Sequence, residues 1–530
     1  MALQMTLMPC HLRAAVCALT LWLASLTMAA VPGEPPPFKK PKPDESDAFF
    51  ASRQIPRLKI EIGPKEVEQL NRANREYVRC TVREDDKFVY DFVGIHLKGA
   101  AGSFRGLGDK PALSLNFDKF RDNQKFHGLD KLHLNNSVQD GGLMHEAISR
   151  SVFLDAGVPV GRATHALVTL NGRDLGLYVL VEGFDRTFLK RHFQNPAGNF
   201  YDGGFCQDLD AQKKLTSNNK VQGQSDLKAV WDAAQEPDPA KRFQRLQQVL
   251  DVDRFYTFVA LELMLSHWDG YVRNRNNYRL FVPQETGKLI FMPSGMDQML
   301  GDPNFDLWGM GGGHVATQLM NTPEGKKAYR ERVTWLHHHV FKPELLHARV
   351  DEWAEKLKSV NPQHFAGVAA DLKRRITARS QVIARQVGAP VAPVAPRKPV
   401  ALGRAEQWQP KSDGGTPLHT TSLSNGKKYL HIRAGGETLA SWRATLPLEA
   451  GPWRFEGVAR TLGVVSSDGA GAGLRISGGT RGAGLNGNTE WKKVEFDFDS
   501  PGGEVTLVCE LRGGKGDAWF ELDALRVVPR

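Results

Sequence analysis

Apolar and polar residues alternate along Arg57–Ile62, Phe88–Leu97, Ala112–Phe117 and Ala166–Leu170. A period of two predicts strands with one buried face. Leu177–Glu182 follows shortly after Asn171-Gly172, a dipeptide suited to a tight hairpin turn. The period then changes. Asp140 is placed to cap a helix running to about Ala156, with Leu143, Ala147, Ile148 and Phe153 near one face. Asp251 is placed to cap another helix through Ser266, and residues 322–386 are mostly helical in pattern. Strands first and helices later, without regular alternation, predict an α+β fold and not a doubly wound sheet.

Beyond residue 400 the pattern changes again. Short alternating runs, such as Tyr429–Ile432, Trp453–Val458, Lys492–Phe498, Glu504–Glu510 and Ala518–Val527, are separated by glycine-rich turns. That predicts an all-β sandwich of jelly-roll type. A Pro-rich stretch, GAPVAPVAPRKP, precedes it, and nearly all of the net charge of +10 belongs to residues 31–400. The expected organisation is a secretory signal at 1–30, a Pro-rich leader at 31–52, a catalytic-type domain at 53–387, a linker at 388–402 and a sandwich at 403–530. The signal reading rests on Arg13, the apolar stretch after it, and Ala29-Ala30. No later apolar run reaches the ~18 residues of a membrane span, so a secreted protein (periplasmic, extracellular or cell-surface) is expected. Removing residues 1–30 leaves Cys80, Cys206 and Cys509, enough for one disulfide at most. The His337-His338-His339 run lies in a helical pattern that points its rings to different sides.

The segment His267-Trp268-Asp269-Gly270-Tyr271-Val272-Arg273-Asn274 carries the candidate chemistry. In phosphoryl transfer an Asp orients the acceptor hydroxyl, and an Asn five residues on binds a divalent cation. Alone, the spacing is equally that of a polar turn. Upstream, Lys98-Gly99-Ala100-Ala101-Gly102-Ser103-Phe104-Arg105-Gly106 follows a strand, and Lys110 opens the next one. Small residues let backbone N–H groups approach phosphate, and a nearby Lys supplies charge. Lys98 competes with Lys110 for that role. Glu146 lies in the following helix, and Asp297 follows a hairpin pattern after Asp269. Lys, Glu, Asp, Asn, Asp is the order in which a kinase site is assembled along a chain.

In KGAAGSFRG with Lys110, LHLNNSVQD with LMHEA, LNGRDLGLYVLVEGFD, HWDGYVRNRNNYRLF and GMDQML, the chain resembles the CotH-type spore-coat kinases over about Arg57–Leu300. The resemblance implies a two-lobed protein-kinase-like domain that binds ATP with Mg²⁺ or Mn²⁺. By position it implies that Lys110, with Lys98, Gly99, Gly102, Ser103 and Arg105 around it, contacts the nucleotide and that Glu146 is the ion-pair partner of Lys110. It also implies that Glu182 sits at the interlobe edge of the nucleotide site, that Asp269 is the catalytic Asp, and that Asn274 and Asp297 hold metal. Many relatives carry Asp-x-Asp at the last site, where this chain has Gly295-Met296-Asp297.

Two function classes follow. One is a secreted kinase phosphorylating Ser or Thr of an extracytoplasmic or surface protein. The other is a non-catalytic adhesin that keeps the kinase-like fold, with a sandwich that binds polysaccharide through rings such as Trp442, Trp453 or Trp491. Retention of the site residues favours the first, and scarcity of ATP outside the cytoplasm the second. The basic residues are scattered and form no nucleic-acid module.

Overall fold

A computed structural model describes residues 41–216, 224–388, 398–449, 451–466, 470–480, 484–500 and 503–530. The expected signal, the first ten residues of the leader and most of the linker lie outside the described residues. A short helix α1 (Asp47–Ala51) leads into β1 (Arg57–Glu61), α2 (Pro64–Arg72), β2 (Val78–Glu84), β3 (Phe88–Lys98), β4 (Ala112–Asn116), β5 (Lys131–Asn135), α3 (His145–Asp155), β6 (Ala163–Leu170) and β7 (Arg173–Glu182).

The seven strands close into a barrel in the order β1-β2-β3-β4-β5-β7-β6, sealed by parallel pairing of β1 with β6. Alternation explains the closure. Leu58, Ile60, Ile95, Leu97, Leu113, Leu115, Leu132 and Leu134 point inward to one buried core, and their neighbours form the outer wall. The Asn171-Gly172 turn joins Leu170 to Arg173 with both residues at positive φ, 48° and 79°, the geometry of a two-residue hairpin loop. The expected Asp140 cap is corrected. Helix α3 begins at His145, and Asp140 instead closes a turn, accepting from the N–H of Gly142 (2.8 Å) and of Leu143 (3.0 Å).

The chain continues through α4 (Arg186–His192), β8 (Gly198–Asp202), β9 (Lys214–Leu215), α5 (Ser225–Ala234), α6 (Pro239–Val249), α7 (Val252–Met264), α8 (Tyr271–Asn274), β10 (Tyr278–Pro283), β11 (Ile290–Pro293), α9 (His314–Met320), α10 (Pro323–His339), α11 (Pro343–Leu357) and α12 (Pro362–Val387). A four-stranded sheet in the order β11-β10-β8-β9 faces these helices. Asp251 caps α7 by accepting from the N–H of Arg254. The three histidines end α10, with His337 near Ser380 and His338 and His339 on carbonyls of their own helix. Among the described residues no helix is long and apolar enough to cross a membrane. All three described cysteines are free.

The C-terminal strands form two sheets, one of seven strands and one of four, around a separate core. Trp442 and Trp453 belong to that core, their indole N–H groups donating to the carbonyls of His431 and Glu449. Neither ring is free for a sugar. Trp491 is 37% exposed and stacks on Tyr429 at 4.8 Å.

Candidate functional site

Strand register builds the site. On the outer wall of the barrel Lys98 of β3 stands opposite Ala112 of β4, and Ala112 lies beside Asn135 of β5. Because Ala112 is small, the Lys98 ammonium passes over it to donate to Asn135 Oδ1. Asn135 Nδ2 in turn donates to Glu146 Oε2 at 2.7 Å. Glu146, only 1% exposed on α3, also receives Arg150 Nη2 at 2.6 Å. Arg150 reaches onward to the carbonyls of Gly161 (3.0 Å) and Ser294 (2.5 Å), three residues before Asp297. Burial lowers the Lys98 pKa to about 8, with Glu146 and Asp297 acting to raise it.

Lys98, and not Lys110, is thus the lysine linked to Glu146, through Asn135. The Lys110 ammonium donates to the Leu177 carbonyl at 3.0 Å and lies 5.0 Å from the centre of the Tyr178 ring. It makes no ion pair with Glu146. The reason is register: Lys110 lies just before β4, outside the row that faces Asn135 and α3.

The glycine-rich loop returns on itself. Gly99 and Gly102 take φ of 100° and 83°, which favours glycine at both. Arg75 donates to the Gly99 carbonyl, Asn136 to that of Ser103 (3.0 Å), and Arg105 to that of Gly102 (3.0 Å). The Ser103 hydroxyl accepts the Ala100 N–H at 3.2 Å. Ser103 and Arg105 thus engage their own loop.

Asp269 is held by three amides. Its carboxylate accepts from Asn274 Nδ2 (3.2 Å), Asn276 Nδ2 (3.1 Å) and Asn277 Nδ2 (2.7 Å). The turn is fixed from below by Glu262, fully buried, which accepts the N–H groups of Tyr271 (3.1 Å) and Val272 (2.9 Å). A side chain at Gly270 would meet that carboxylate at 2.7 Å. His267 packs beneath, 1% exposed. Sequence reasoning missed Glu262, Asn276 and Asn277. The run Asn274-Arg275-Asn276-Asn277 carried the signal for the last two.

Asn277 also constrains position 295. Its carbonyl oxygen accepts the Ser294 N–H at 2.9 Å, and its side-chain Oδ1 fills the space that any Cβ on Gly295 would need. Only Asp297 remains. Burial raises its pKa to about 6, reinforced by Glu146 and Asp140 and opposed by Lys98. Asp297 shares a cleft of about 750 Å³ with Trp268, Asp140 and His145. Asp140 Oδ2 is buried there without a hydrogen-bond partner. Lys98, Glu146 and Asp297 form one group, Asp269 and Asn274 a second, and the Asn277–Gly295 contact joins them.

Glu182 is corrected as a ligand-facing residue. It is 1% exposed, and both its oxygens are taken by Arg162, through Nε and Nη2 at 2.9 Å each and the backbone N–H at 3.0 Å. Arg162 further binds Ser46 (2.5 Å) and Asp47 (2.6 Å).

Residues 95–379 match the family model described as CotH kinase protein, more than half of the chain, and the chain belongs to that family. The inner spore coat protein H of Bacillus subtilis is 26% identical over 216 residues, covering 37% of this chain and 57% of that protein. The chain thus spans little more than half the length of this curated relative. Among solved structures, the Helicobacter pylori proinflammatory kinase CtkA is 10% identical with a TM-score of 0.28, covering 55% of this chain and 96% of that one. TmCBM61, in complex with β-1,4-galactotriose, is 16% identical with a TM-score of 0.20, covering 24% of this chain and 92% of that one. Neither structural likeness is close enough to argue from.

Removing Arg162 leaves the Glu182 carboxyl buried without its partner. Arg162→Ala is expected to cost about 3–5 kcal/mol of stability, read as a lower urea midpoint, and an unchanged midpoint would contradict the pairing.

Proposed function

We propose that the chain is a secreted, kinase-like phosphotransferase that moves the γ-phosphoryl group of ATP to Ser or Thr hydroxyls of extracytoplasmic or surface proteins. One observation carries this reading. A lysine, two acids and an Asp–Asn pair, far apart in sequence, converge through Asn135, Arg150 and Asn277. Lys98, steered by Asn135 and Glu146, holds the donor phosphates. Asp269 orients the acceptor hydroxyl. Three neutral amides fix its carboxylate without neutralising it, so its charge remains available to the hydroxyl proton.

The residues fit a divalent cation, Mg²⁺ or Mn²⁺, shared with a nucleotide. Asn274 donates its amide N–H to Asp269, which leaves its side-chain oxygen for a metal. Asp297 stands among other acids, and the unpartnered Asp140 oxygen adds to the local excess of negative charge. Among the described residues no three His, Cys, Asp or Glu side chains converge as a cage. Mg²⁺ is commonly held by one or two carboxylates together with substrate phosphates. Such a cation would offset phosphate charge when bound.

The sandwich keeps a separate sugar-binding reading, supported by the exposed Trp491 ring on Tyr429. The flat apolar face of indole suits a sugar ring.

Asp269→Asn should abolish phosphoryl transfer while thermal unfolding stays nearly unchanged, and wild-type labelling by that variant would refute the role. With Asp297 protonated below about 6 and Lys98 neutral above about 8, kcat/KM should be bell-shaped, falling on the acid side as Asp297 loses charge and on the alkaline side as Lys98 does. A flat profile across that range would contradict both assignments.

A further inference from the structure

The turn ahead of α3 holds a carboxylate whose two oxygens differ. Asp140 Oδ1 is saturated, accepting from the N–H groups of Gly142 (2.8 Å) and Leu143 (3.0 Å) and from His145 Nδ1 (2.7 Å). Those three donors hold the group in one orientation, and the residue is only 3% exposed. Oδ2 is buried and has no hydrogen-bond partner among the described residues. A buried polar atom left this way is costly, and it calls for a partner that the chain itself does not supply.

Asp140 lines the cleft of about 750 Å³, together with Asp297, Gln298 and Gln363. Three parts of the fold meet there: the turn before α3, the segment after β11 and the start of α12. The basic side chains on this wall are already engaged. Arg375 Nε lies 2.6 Å from Asp371, and Arg374 pairs with the same acid. His364 Nε2 lies 2.8 Å from the Gly141 carbonyl oxygen. Lys98 counters Asp297 from the barrel side, whereas Asp140 and Asp297 repel each other. The wall thus offers one unanswered carboxylate oxygen, a second acid and two amide side chains. Such oxygen donors suit a hard cation. Long, flexible glutamines around an open cleft suit Ca²⁺, which takes more oxygens in looser geometry, better than the strict octahedron of Mg²⁺. Asn274, the amide assigned above to the nucleotide-bound cation, is not on this wall.

We infer that the cleft is a separate site for a hard divalent cation of the Ca²⁺ type, with Asp140 Oδ2 as its anchoring ligand and Asp297 as its second carboxylate. The ion binds without nucleotide. It joins the turn that leads into α3, the helix of Glu146, to the segment after β11 and to α12, and so stabilises the packing of these three parts.

The test is Ca²⁺ binding to the full chain in the absence of nucleotide, followed by calorimetry and by thermal unfolding. Ca²⁺ should bind and raise the unfolding temperature. Asp140→Asn should weaken Ca²⁺ about tenfold or more and remove that rise, and Asp297→Asn should act in the same direction. An amide at 140 keeps one oxygen for the turn N–H groups and removes the buried charge, so this variant without Ca²⁺ should unfold at or above the temperature of the parent. Asp371→Asn, an acid already held by its arginines, and Asn274→Ala should leave Ca²⁺ affinity unchanged. Absence of Ca²⁺ binding, or unchanged affinity in Asp140→Asn, would overturn the site. A loss in Asn274→Ala equal to that in Asp140→Asn would merge it with the nucleotide-bound cation and overturn its separateness. Mg²⁺ should bind more weakly, and Mg²⁺ binding as tightly as Ca²⁺ would overturn the choice of ion.

Discussion

One buried carboxylate ties the site together. Glu146 meets Asn135 from the barrel wall and Arg150 from its own helix, and Arg150 continues to the Gly161 and Ser294 carbonyls. Barrel, helix α3 and the segment leading to Asp297 therefore share a single hydrogen-bonded network. A buried ion pair of this kind adds little net stability, because desolvation consumes most of its Coulombic gain. Its value is geometric. Each donor fixes an atom whose alternatives are costly in a low-dielectric interior, so Lys98 is held at a set distance from both acids. Losing Glu146 would free the lysine and leave Arg150 buried without its counter-charge.

The local chemistry of the chain was largely legible. Alternation located five of the seven barrel strands and left β2 and β5 unread, Asn171-Gly172 marked the hairpin, and the five-residue spacing of Asp269 and Asn274 marked a real side-chain contact. Lateral information was not legible. Which lysine faces Glu146 depends on how β3, β4 and β5 line up, and no short window encodes that register. Lys110 has the better position along the sequence, and Lys98 has the better position across the sheet. Asp140 misled for a related reason. Its carboxylate satisfies turn N–H groups as readily as helix ones, with His145 Nδ1 at 2.7 Å from Oδ1, and the helix starts at His145, four residues later than a cap at Asp140 would give. Glu182 resembled a free acid because its partner, Arg162, lies on the neighbouring strand connection.

The change at position 295 shows how one asparagine serves two constraints. Asn277 takes a positive φ of 52°, directs its amide N–H groups to the carboxylate and the carbonyl of Asp269, and turns its oxygen toward Gly295. A side chain at 295 would displace the Asn277 oxygen, and with it the amide that holds Asp269. The consequence is electrostatic: Asp297 has no second carboxylate two residues before it, and Asp269 is fixed by neutral amides. With fewer acids in the group, a bound divalent cation would depend more on oxygens supplied by its ligand.

Charge thus separates around Lys98. Asp297, Glu146 and Asp140 gather on one side of Lys98, close enough that Asp297 holds its proton to about pH 6. Lys131, Arg279 and Lys214 gather on the other, close enough to hold His133 neutral. Most of this charge has a partner inside the fold: Asp202 pairs with Arg279, Asp185 faces Lys131, and Lys98 opposes the protonation of Asp297. The acidic side differs in one respect, because Asp140 Oδ2 is buried there without a hydrogen-bond partner. A buried carboxylate oxygen left unpaired is costly, so a cation entering beside Asp140 and Asp297 would relieve more strain than an anion arriving on the basic side.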